Sequence, residues 1–412
     1  MCLFVVVVFV CFLFRDFELI GWIYHSLWPW LLMAAYDPIS KLQVILLASK
    51  WGFSKGGFSS INREMAIQLA KFSEIEVTLF LPTGKCSDMD KQEAARHGIS
   101  ICEAAKLSAY NELDWLIIPP KDLRIDVVVG HGVKLGRQAQ FICQSHKCKW
   151  VQVVHSDPGE IGNFRGREDL IDLCKIADFV VAVGPKLTKA FSDFLSYFKK
   201  AVFGFTPGVF TDFPTYQRAH DNRERCNVLV FGHGDDKDFE LEDFDVVGRS
   251  VVGLHYTHLV FIGANEERIK GHFTKLGFPS NRLTVKPYQE DQEYLRRLFF
   301  ETDLMLMPSK TEGFGVIVLQ AMSAGLPVIV SKNSGFGEAL SRIHFGSMYF
   351  IDSDDTSNWT MAIKSVWNKD RKLRLEEIKM VRDNYQKEYS WSQQCKCLIE
   401  GMVKLCDGMN YM

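Results

Sequence analysis

The stretch Glu312-Gly-Phe-Gly-Val-Ile-Val-Leu-Gln-Ala-Met-Ser-Ala-Gly-Leu-Pro327 decides how this chain folds. It follows an apolar run at 303–308 that is typical of a buried strand, and its apolar residues over 316–324 have helical spacing. The glycine and proline near its end stop the helix, and a new apolar strand begins at Val328. The order strand, glycine-rich loop, helix, strand predicts a βαβ unit whose open helix N-terminus suits an anion or a sugar.

The same alternation of strands and helices extends through the rest of the chain. The first strand (42–48) is followed by a glycine-rich loop (49–60) and by a helix with four apolar residues on its inner face. Those residues are Ile61, Met65, Leu69 and Phe72. Strands without polar alternation are typical of parallel sheets, and their carboxyl ends are where such folds bind ligands.

A change of character at 206–226 divides the chain. Two prolines and a charged run indicate a linker there. We therefore predict an α/β protein with two Rossmann-like, doubly wound parallel-sheet domains facing a cleft, at 41–215 and 225–387. A final amphipathic helix at 388–408 is expected to pack back on the first domain.

Composition narrows the classes of function. The chain has 412 residues, and its net charge of −2 gives no reason to expect a nucleic-acid partner. Its eleven cysteines are scattered without a C-x-x-C pair, which favours reduced, mostly buried thiols. The main body is typical of a cytoplasmic protein.

The N-terminal segment 1–40 is different, because it is strongly apolar and carries four aromatic residues suited to a membrane interface, Trp22, Tyr24, Trp28 and Trp30. Three interpretations stay open. It is a membrane anchor making contact through 1–35, a cleaved signal peptide, or an extension upstream of a start at Met33.

At this point the sequence resembles a known family. Met307-Pro-Ser-Lys-Thr-Glu-Gly-Phe-Gly315 and Ala324-Gly-Leu-Pro-Val-Ile329, together with the glycine pair after the first strand, resemble the retaining glycosyltransferases of the GT-B fold, group 1 or family 4. The resemblance covers about 41–405. It implies transfer of a sugar from a nucleotide-diphosphate donor with retention of configuration, without a metal in the site and without a cofactor.

The resemblance also implies a donor site. Glu312 matches the first acid of the family's E-x7-E motif, which holds the sugar hydroxyls, although an N-cap is the alternative role. The loop residues Gly313, Phe314 and Gly315 belong to the same motif. Backbone N–H groups that could face the donor are also offered at two other helix starts, by Gly56 and Gly57 and by Ser334 and Gly335. For the glycine pair, a tight turn is the alternative.

The sequence departs from the family at three donor-binding positions. Gln320 stands where the second acid grips the ribose hydroxyls, and His233, after Gly232, stands where an arginine contacts the diphosphate. Lys237 is the nearest candidate for the missing lysine. Histidine lacks the bidentate fork of arginine and is charged only below a pKa near 6.5. These changes predict weakened phosphate electrostatics in an intact binding fold.

On the acceptor side, His155 resembles the family's histidine near the sugar ring, and His131 is a second histidine at a strand end. Either one could instead be a structural residue. The acceptor stays open as a glycan, lipid, protein or small molecule. Three functions are weighed: an active glycosyltransferase, a catalytically impaired module that binds a nucleotide-sugar as a sensor or interaction domain, and a GT-B enzyme with other chemistry, such as an epimerase.

Overall fold

A computed structural model describes residues 41–52, 57–157, 164–213, 224–234, 241–310 and 312–408. Residues Gln43–Met412 form one compact unit. Within the described residues, strands and helices alternate as the sequence predicts, and they build two sheets with separate hydrophobic cores.

The first sheet has seven strands in the order β3-β2-β1-β4-β5-β6-β7. The strands are β1 Leu42–Leu47, β2 Ile75–Pro82, β3 Ile99–Ala104, β4 Val127–His131, β5 Lys149–Val154, β6 Phe179–Val183 and β7 Val202–Phe205. The helices around it are α1 Phe58–Leu69, α2 Asp88–Arg96, α3 Gly132–His146, α4 Phe164–Ile176 and α5 Pro185–Ser196, with a 3-10 turn at Glu112–Ile117. We call this sheet and its helices the N-lobe.

The second sheet has six strands in the order β10-β9-β8-β11-β12-β13. The strands are β8 Cys226–Gly234, β9 Thr257–Ala264, β10 Leu283–Lys286, β11 Leu304–Met307, β12 Val328–Ser331 and β13 Phe350–Ile351. The helices are α6 Asp245–Val252, α7 Glu266–Lys275, α8 Gln292–Glu301, α9 Val316–Ser323, α10 Gly335–Ser341, α11 Thr356–Trp367 and α12 Arg371–Glu388, with 3-10 turns at Leu241–Phe244, Ser280–Arg282 and Gly346–Tyr349. We call this sheet and its helices the C-lobe.

The strand pairing is parallel, for example with Val44 opposite Val127 and Leu304 opposite Val228. Strands buried on both faces read as continuous apolar runs, which is why they were visible in the sequence. Strand order reverses between β1 and β4 in the N-lobe and between β8 and β11 in the C-lobe. The loops that leave these switch points are where a doubly wound sheet binds its ligand.

The last helix, α13 (Trp391–Cys406), packs on α1 and β7 of the N-lobe. Trp391 contributes to that packing through the ring of Phe205, at 5.7 Å between centroids. The chain between the lobes is also fixed, because the hydroxyl of Tyr385 donates to Pro207 O at 2.9 Å and Phe210 N donates to Ser323 Oγ at 3.0 Å.

Several boundaries differ from the sequence prediction. Strands β7 and β13 were not predicted, and β8 begins at Cys226, inside the predicted linker. Helix α1 begins at Phe58 instead of Ile61, because Gly57 takes a left-handed conformation (φ 74°) that starts the helix earlier.

The prediction of a membrane contact concerns residues 1–35, which lie outside the described ranges. Among the helices that the structure describes, none is long and apolar enough to cross a membrane.

Candidate functional site

The loop Glu312–Gly315 connects β11 to α9 and opens that helix. The N-cap of α9 is Gly315 (φ 89°), which has no side chain to cap the helix. Glu312 therefore does not serve as the N-cap, the alternative role considered for it. Its side chain is partly exposed, and its backbone oxygen accepts a hydrogen bond from Gly335 N at 3.1 Å. A helix start of this kind offers backbone N–H groups to a ligand.

This loop packs directly against the N-lobe. A Cβ on Gly313 would lie 2.2 Å from His155 O, and a Cβ on Gly184 would lie 2.4 Å from the ring of Phe314. Phe314 is only 3% exposed and packs edge to face on Phe336. Gly313 and Phe314, both predicted to bind the donor, therefore also form a direct contact between the lobes.

The loop before α10 is held by its own hydrogen bonds. Ser334 Oγ accepts from Gly337 N at 3.0 Å and donates to Ser331 O at 2.7 Å, and Ser334 is fully buried. A Cβ on Gly335 would lie 1.9 Å from Gly313 O. The N–H groups of Ser334 and Gly335, which the sequence offered as groups that could face the donor, donate to Ser331 O and to Glu312 O, each at 3.1 Å.

Gly57 brings a second helix N-terminus to the same place. It is the N-cap of α1, again without a side-chain cap, and a Cβ on it would lie 2.6 Å from Cβ of Val316, the first residue of α9. The N-termini of α1 and α9 are therefore in contact across the two lobes. Each carries partial positive charge from its aligned peptide groups, so an anion between them is favoured.

Gln320 is the fifth residue of α9 and is 2% exposed. Its Nε2 has no hydrogen-bond partner among the described residues. A buried amide nitrogen without a partner costs free energy unless something else accepts its hydrogen bond. This is consistent with a ligand group reaching Gln320.

Only some of the residues predicted to contact the donor phosphates belong to the described part of the chain. Gly232 lies in β8, where pairing with β9 is irregular between Phe231 and Gly234. Its carbonyl oxygen would be 2.3 Å from a Cβ on Gly263, which has a φ of 104°. The backbone of His233 continues β8, and its side chain lies outside what the structure describes, as do Gly56 and Lys237.

On the N-lobe, His131 and His155 form a buried pair at the carboxyl ends of β4 and β5. Nδ1 of His131 and Nε2 of His155 are 2.8 Å apart, and the residues are 5% and 7% exposed. Burial lowers the pKa of His131 to about 3. Burial first, and then the neighbouring His131, lower the pKa of His155 well below its ordinary value. Both rings are therefore neutral at pH 7.

Gln152 and Phe58, which sequence reasoning missed, support this pair. The side chain of Gln152 is fully buried, and its Nε2 donates to Gly132 O at 2.8 Å, which fixes the turn after His131. The ring of Phe58 lies 4.6 Å from that of His155. Gln152 could have been found from the sequence, because it is a polar residue in the middle of an otherwise apolar strand.

Two lysines beside the loop were also missed. Lys186 Nζ donates to Lys310 O at 2.7 Å, which links the N-lobe to the C-lobe just before Glu312. Lys310 Nζ in turn pairs with Asp354 at 2.6 Å. Both lysines therefore lie next to the predicted donor loop. In the sequence, the only sign of this was that each lysine stands close to the start of a helix or a loop.

The chain is similar to known glycosyltransferases. A family model described as family 4 glycosyltransferase in conflict systems matches residues 45–398. A D-inositol 3-phosphate glycosyltransferase of Rhodococcus opacus is 26% identical over 130 residues, which cover 32% of this chain and 28% of that relative's length. An uncharacterized glycosyltransferase of Methanocaldococcus jannaschii is 32% identical over 103 residues, which cover 25% of each protein.

Solved structures share the whole architecture. Sucrose-phosphate synthase from Thermosynechococcus elongatus superposes with a TM-score of 0.68 at 16% identity, covering 89% of this chain and all of that one. Anabaena HepE in complex with UDP and glucose gives a TM-score of 0.63 at 11% identity, covering 88% of this chain and all of that one. At such identities the likeness is one of fold, and it confirms the predicted pair of parallel-sheet domains of the GT-B type.

Proposed function

This chain belongs to the family 4 glycosyltransferases in conflict systems, and from that premise we propose that it transfers a sugar from a nucleotide-diphosphate sugar to an acceptor. In this proposal the donor lies between the lobes at the loop Glu312–Gly315. The configuration of the sugar is retained, and the diphosphate charge is met by the protein without a metal. The acceptor, a glycan, lipid, protein or small molecule, enters from the N-lobe side.

The observation that carries the proposal is the contact between the N-termini of α1 and α9. Both N-caps are glycines, which have no side chain to cap the helix, and Gly57 touches Val316 there. Two positive helix ends side by side repel each other, and a bound diphosphate removes that repulsion. Each helix end stabilises an anion by about 0.3–1 kcal/mol at exposed sites and more when partly buried. The two helix ends thereby replace part of the positive charge that the donor diphosphate loses because His233 stands in place of arginine.

Glu312 is proposed to hold the donor sugar. It is the partly exposed residue of a loop that is otherwise buried, and its backbone is fixed by Gly335. A carboxylate accepts hydrogen bonds from two neighbouring hydroxyls, as a hexose offers. The bound ligands of HepE, UDP with glucose and UDP-glucose, make UDP-glucose the natural first probe.

The proposed reaction needs no protein nucleophile. The bond between the anomeric carbon and the phosphate oxygen breaks, and the acceptor oxygen forms its bond on the same face of the sugar. The acceptor proton passes to the departing phosphate. The residues of this chain then act by positioning the reactants and by stabilising charge on the phosphate.

A catalytically impaired module that binds a nucleotide-sugar as a sensor is the second candidate. Gln320 favours it, because a buried amide offers one oxygen where a carboxylate offers two, and its Nε2 has no partner in the described chain. Such a protein keeps the donor pocket and loses turnover.

The full chain, incubated with a panel of nucleoside-diphosphate sugars, distinguishes the two candidates. Thermal stabilisation together with release of nucleoside diphosphate supports the transferase. Stabilisation with no release in the presence of varied acceptors supports the sensor. If no nucleotide-sugar stabilises the protein, the proposed donor site is wrong for both.

Replacing Glu312 by glutamine is expected to weaken binding of UDP-glucose about tenfold, because one charged hydrogen bond to the sugar is lost. Affinity for UDP, which has no sugar to contact, should stay within about twofold. Isothermal titration with both ligands checks this, and UDP serves as the internal control. An equal loss for UDP and UDP-glucose would show that Glu312 does not contact the sugar.

Replacing Gln320 by glutamate is expected to tighten binding of UDP about tenfold, since a carboxylate can accept from both ribose hydroxyls. Without nucleotide, the same variant should be less stable, because it buries a charge without a partner. The checks are titration with UDP and thermal unfolding with and without it. If UDP binds no more tightly, Gln320 does not face the ribose.

A further inference from the structure

The histidine pair has a geometry that restricts its hydrogen bonding. His131 ends β4 and pairs in the sheet with Val153, so His155 lies two residues further along the chain, just past the end of β5 at the same edge. Their rings lie 5.1 Å apart between centroids, nearly parallel. The short contact joins Nδ1 of His131 to Nε2 of His155. The opposite nitrogens, Nε2 of His131 and Nδ1 of His155, have no partner in the part of the chain that is described.

Two neutral imidazoles can share this contact in only two ways. If His155 donates, each ring carries its proton on Nε2. If His131 donates, each ring carries its proton on Nδ1. In both cases the rings have the same tautomer, and one free donor and one free acceptor are left at the outer ends. The tautomer of His155 is therefore tied to that of His131.

We propose that His131 is a positioning residue for His155: its Nδ1 engages Nε2 of His155, ties the tautomer of that ring to its own, and leaves Nδ1 of His155 as the atom directed to the sugar or acceptor. The inference rests on the proposed function in placing His155 beside the reactants. Two neighbours support that placement. Gly313 packs on the backbone of His155, and the ring of Phe58, which is 42% exposed, covers its imidazole.

The described residues around the pair place no other charge beside it. Among the described residues, His131 is the single titratable group whose charge acts on His155. On the sheet, the neighbour of the pair is Gln152, which is uncharged and donates to Gly132 O. On α1, the group that faces His155 is the ring of Phe58. From the C-lobe, the group in contact is the backbone of Gly313. Because no carboxylate among the described residues acts on His155, its tautomer depends on His131.

The test compares His131→Asn with His131→Leu. Asparagine places an amide nitrogen or oxygen near the former Nδ1, whereas leucine has similar bulk and no polar atom. With histidine labelled by ¹⁵N, NMR of the ligand-free full chain should show His131 and His155 in the same tautomer in the wild type, with no titration between pH 5 and 8. In His131→Leu, His155 should sample both tautomers, and in His131→Asn it should keep one.

Turnover of UDP-glucose provides the second measurement. His131→Leu should lower kcat roughly tenfold with KM for the donor unchanged, because a mispositioned group affects the reaction more than binding. His131→Asn should recover most of that loss. Thermal unfolding checks that both variants fold.

The outcomes separate this inference from the proposed function. Opposite tautomers in the wild type, or an unchanged His155 tautomer in a folded His131→Leu protein, would overturn the positioning role whatever the enzyme does. Matching tautomers that respond as expected, in a protein that does not turn over any donor, would leave the histidine coupling intact and count against the transferase.

Discussion

A Gly313→Ala variant is expected to lose glycosyl transfer by about 10²-fold, the loss typical of a 1 Å misplacement in a catalytic site. The added Cβ would lie 2.2 Å from His155 O and 3.3 Å from a methyl group of Leu187. The first of these is a backbone atom at the end of a sheet strand and cannot move aside as a flexible side chain can. Gly313 is not in the left-handed region, so the expected effect is spatial and not conformational.

The expected displacement separates the donor loop from the N-lobe. Gly313 O is itself fixed against Gly335, which leaves no room on the other side of the loop. Overpacking of this kind typically costs about 1–3 kcal/mol in stability. The measurements are kcat/KM for UDP-glucose and the thermal unfolding midpoint of the full chain.

Gly271→Ala is the matched control. Gly271 is an exposed residue inside α7, and a Cβ there would meet nothing within 4 Å. Alanine in a helix interior is more stable than glycine by about 0.5–1 kcal/mol, so this variant should be slightly more stable and fully active. A Gly313→Ala protein with the activity and stability of Gly271→Ala would mean that the lobes do not meet at this glycine in solution.

The sequence predicted the sheets well because their strands carry the signal locally. Runs such as Val127–His131 are buried along their whole length, and no partner from elsewhere is needed to recognise them. β7 escaped prediction because it is short and contains Gly204, whose missing side chain makes room for Thr188. β13 has only two residues, too few for a periodic pattern.

The candidate site was located by motif, but its packing was not predictable. The contact between Gly313 and His155 joins residues far apart in sequence, and no local pattern reports it. The same holds for Gly57 against Val316. The partners of His131 and Gln152, which are His155 and Gly132, lie just past the end of the neighbouring strand, so finding them requires knowledge of the sheet register.

The burial of the polar residues of helix α1 was likewise not predictable from the sequence. The sequence predicts one buried face, yet Ser60 through Leu69 are all buried. The opposite face is covered by α13 and by the chain between the lobes. Glu64, for example, is 2% exposed, and burial raises its pKa, while a hydrogen bond from Gln68 at 2.7 Å opposes that shift. An amphipathic pattern cannot reveal that a second layer covers its polar side.

Replacing Arg63 by methionine on this covered face is expected to lower the free energy of unfolding by about 2–3 kcal/mol, because it removes charge-assisted hydrogen bonds of a buried guanidinium while the carboxylates left behind are partly exposed. The Arg63 side chain is 7% exposed and pairs with Asp212 at 2.7 Å and with Glu93 at 2.5 Å. Its guanidinium also lies 5.0 Å above the ring of Trp51. Methionine keeps the length of the stem and removes the charge.

Asp212 makes this pair a link between the lobes. It lies between β7 and β8, and its backbone oxygen accepts a hydrogen bond from Arg296 Nε of α8 at 2.8 Å. Gln292 of the same helix reaches its carboxylate at 3.4 Å. Without Arg63, Asp212 loses its ion pair to the N-lobe and keeps only its hydrogen bonds to α8 of the C-lobe.

Arg124→Met is the control, because Arg124 pairs with Asp126 at 3.1 Å while its side chain is 56% exposed. An exposed pair of this kind contributes about 0–1 kcal/mol. Urea unfolding of the three proteins at pH 7 gives the comparison. Equal losses in the two variants would show that Arg63 is not buried in solution as the structure has it.

The difference in unfolding free energy between wild type and Arg63→Met should depend on pH, which tests whether Asp212 is the partner of Arg63. Burial alone would raise the pKa of Asp212, but the hydrogen bond and charge of Arg63, with smaller contributions from Gln292 and Arg296, bring it below the ordinary 3.8. A carboxyl group whose folded pKa is lowered stabilises the fold fully above its unfolded pKa, and that stability is lost as the pH falls through the folded value. The gap between wild type and Arg63→Met should therefore be constant from pH 7 to about 5 and shrink below about 4. A gap that persists unchanged at pH 3 would mean that the loss comes from packing against Trp51 and not from the charge of Asp212.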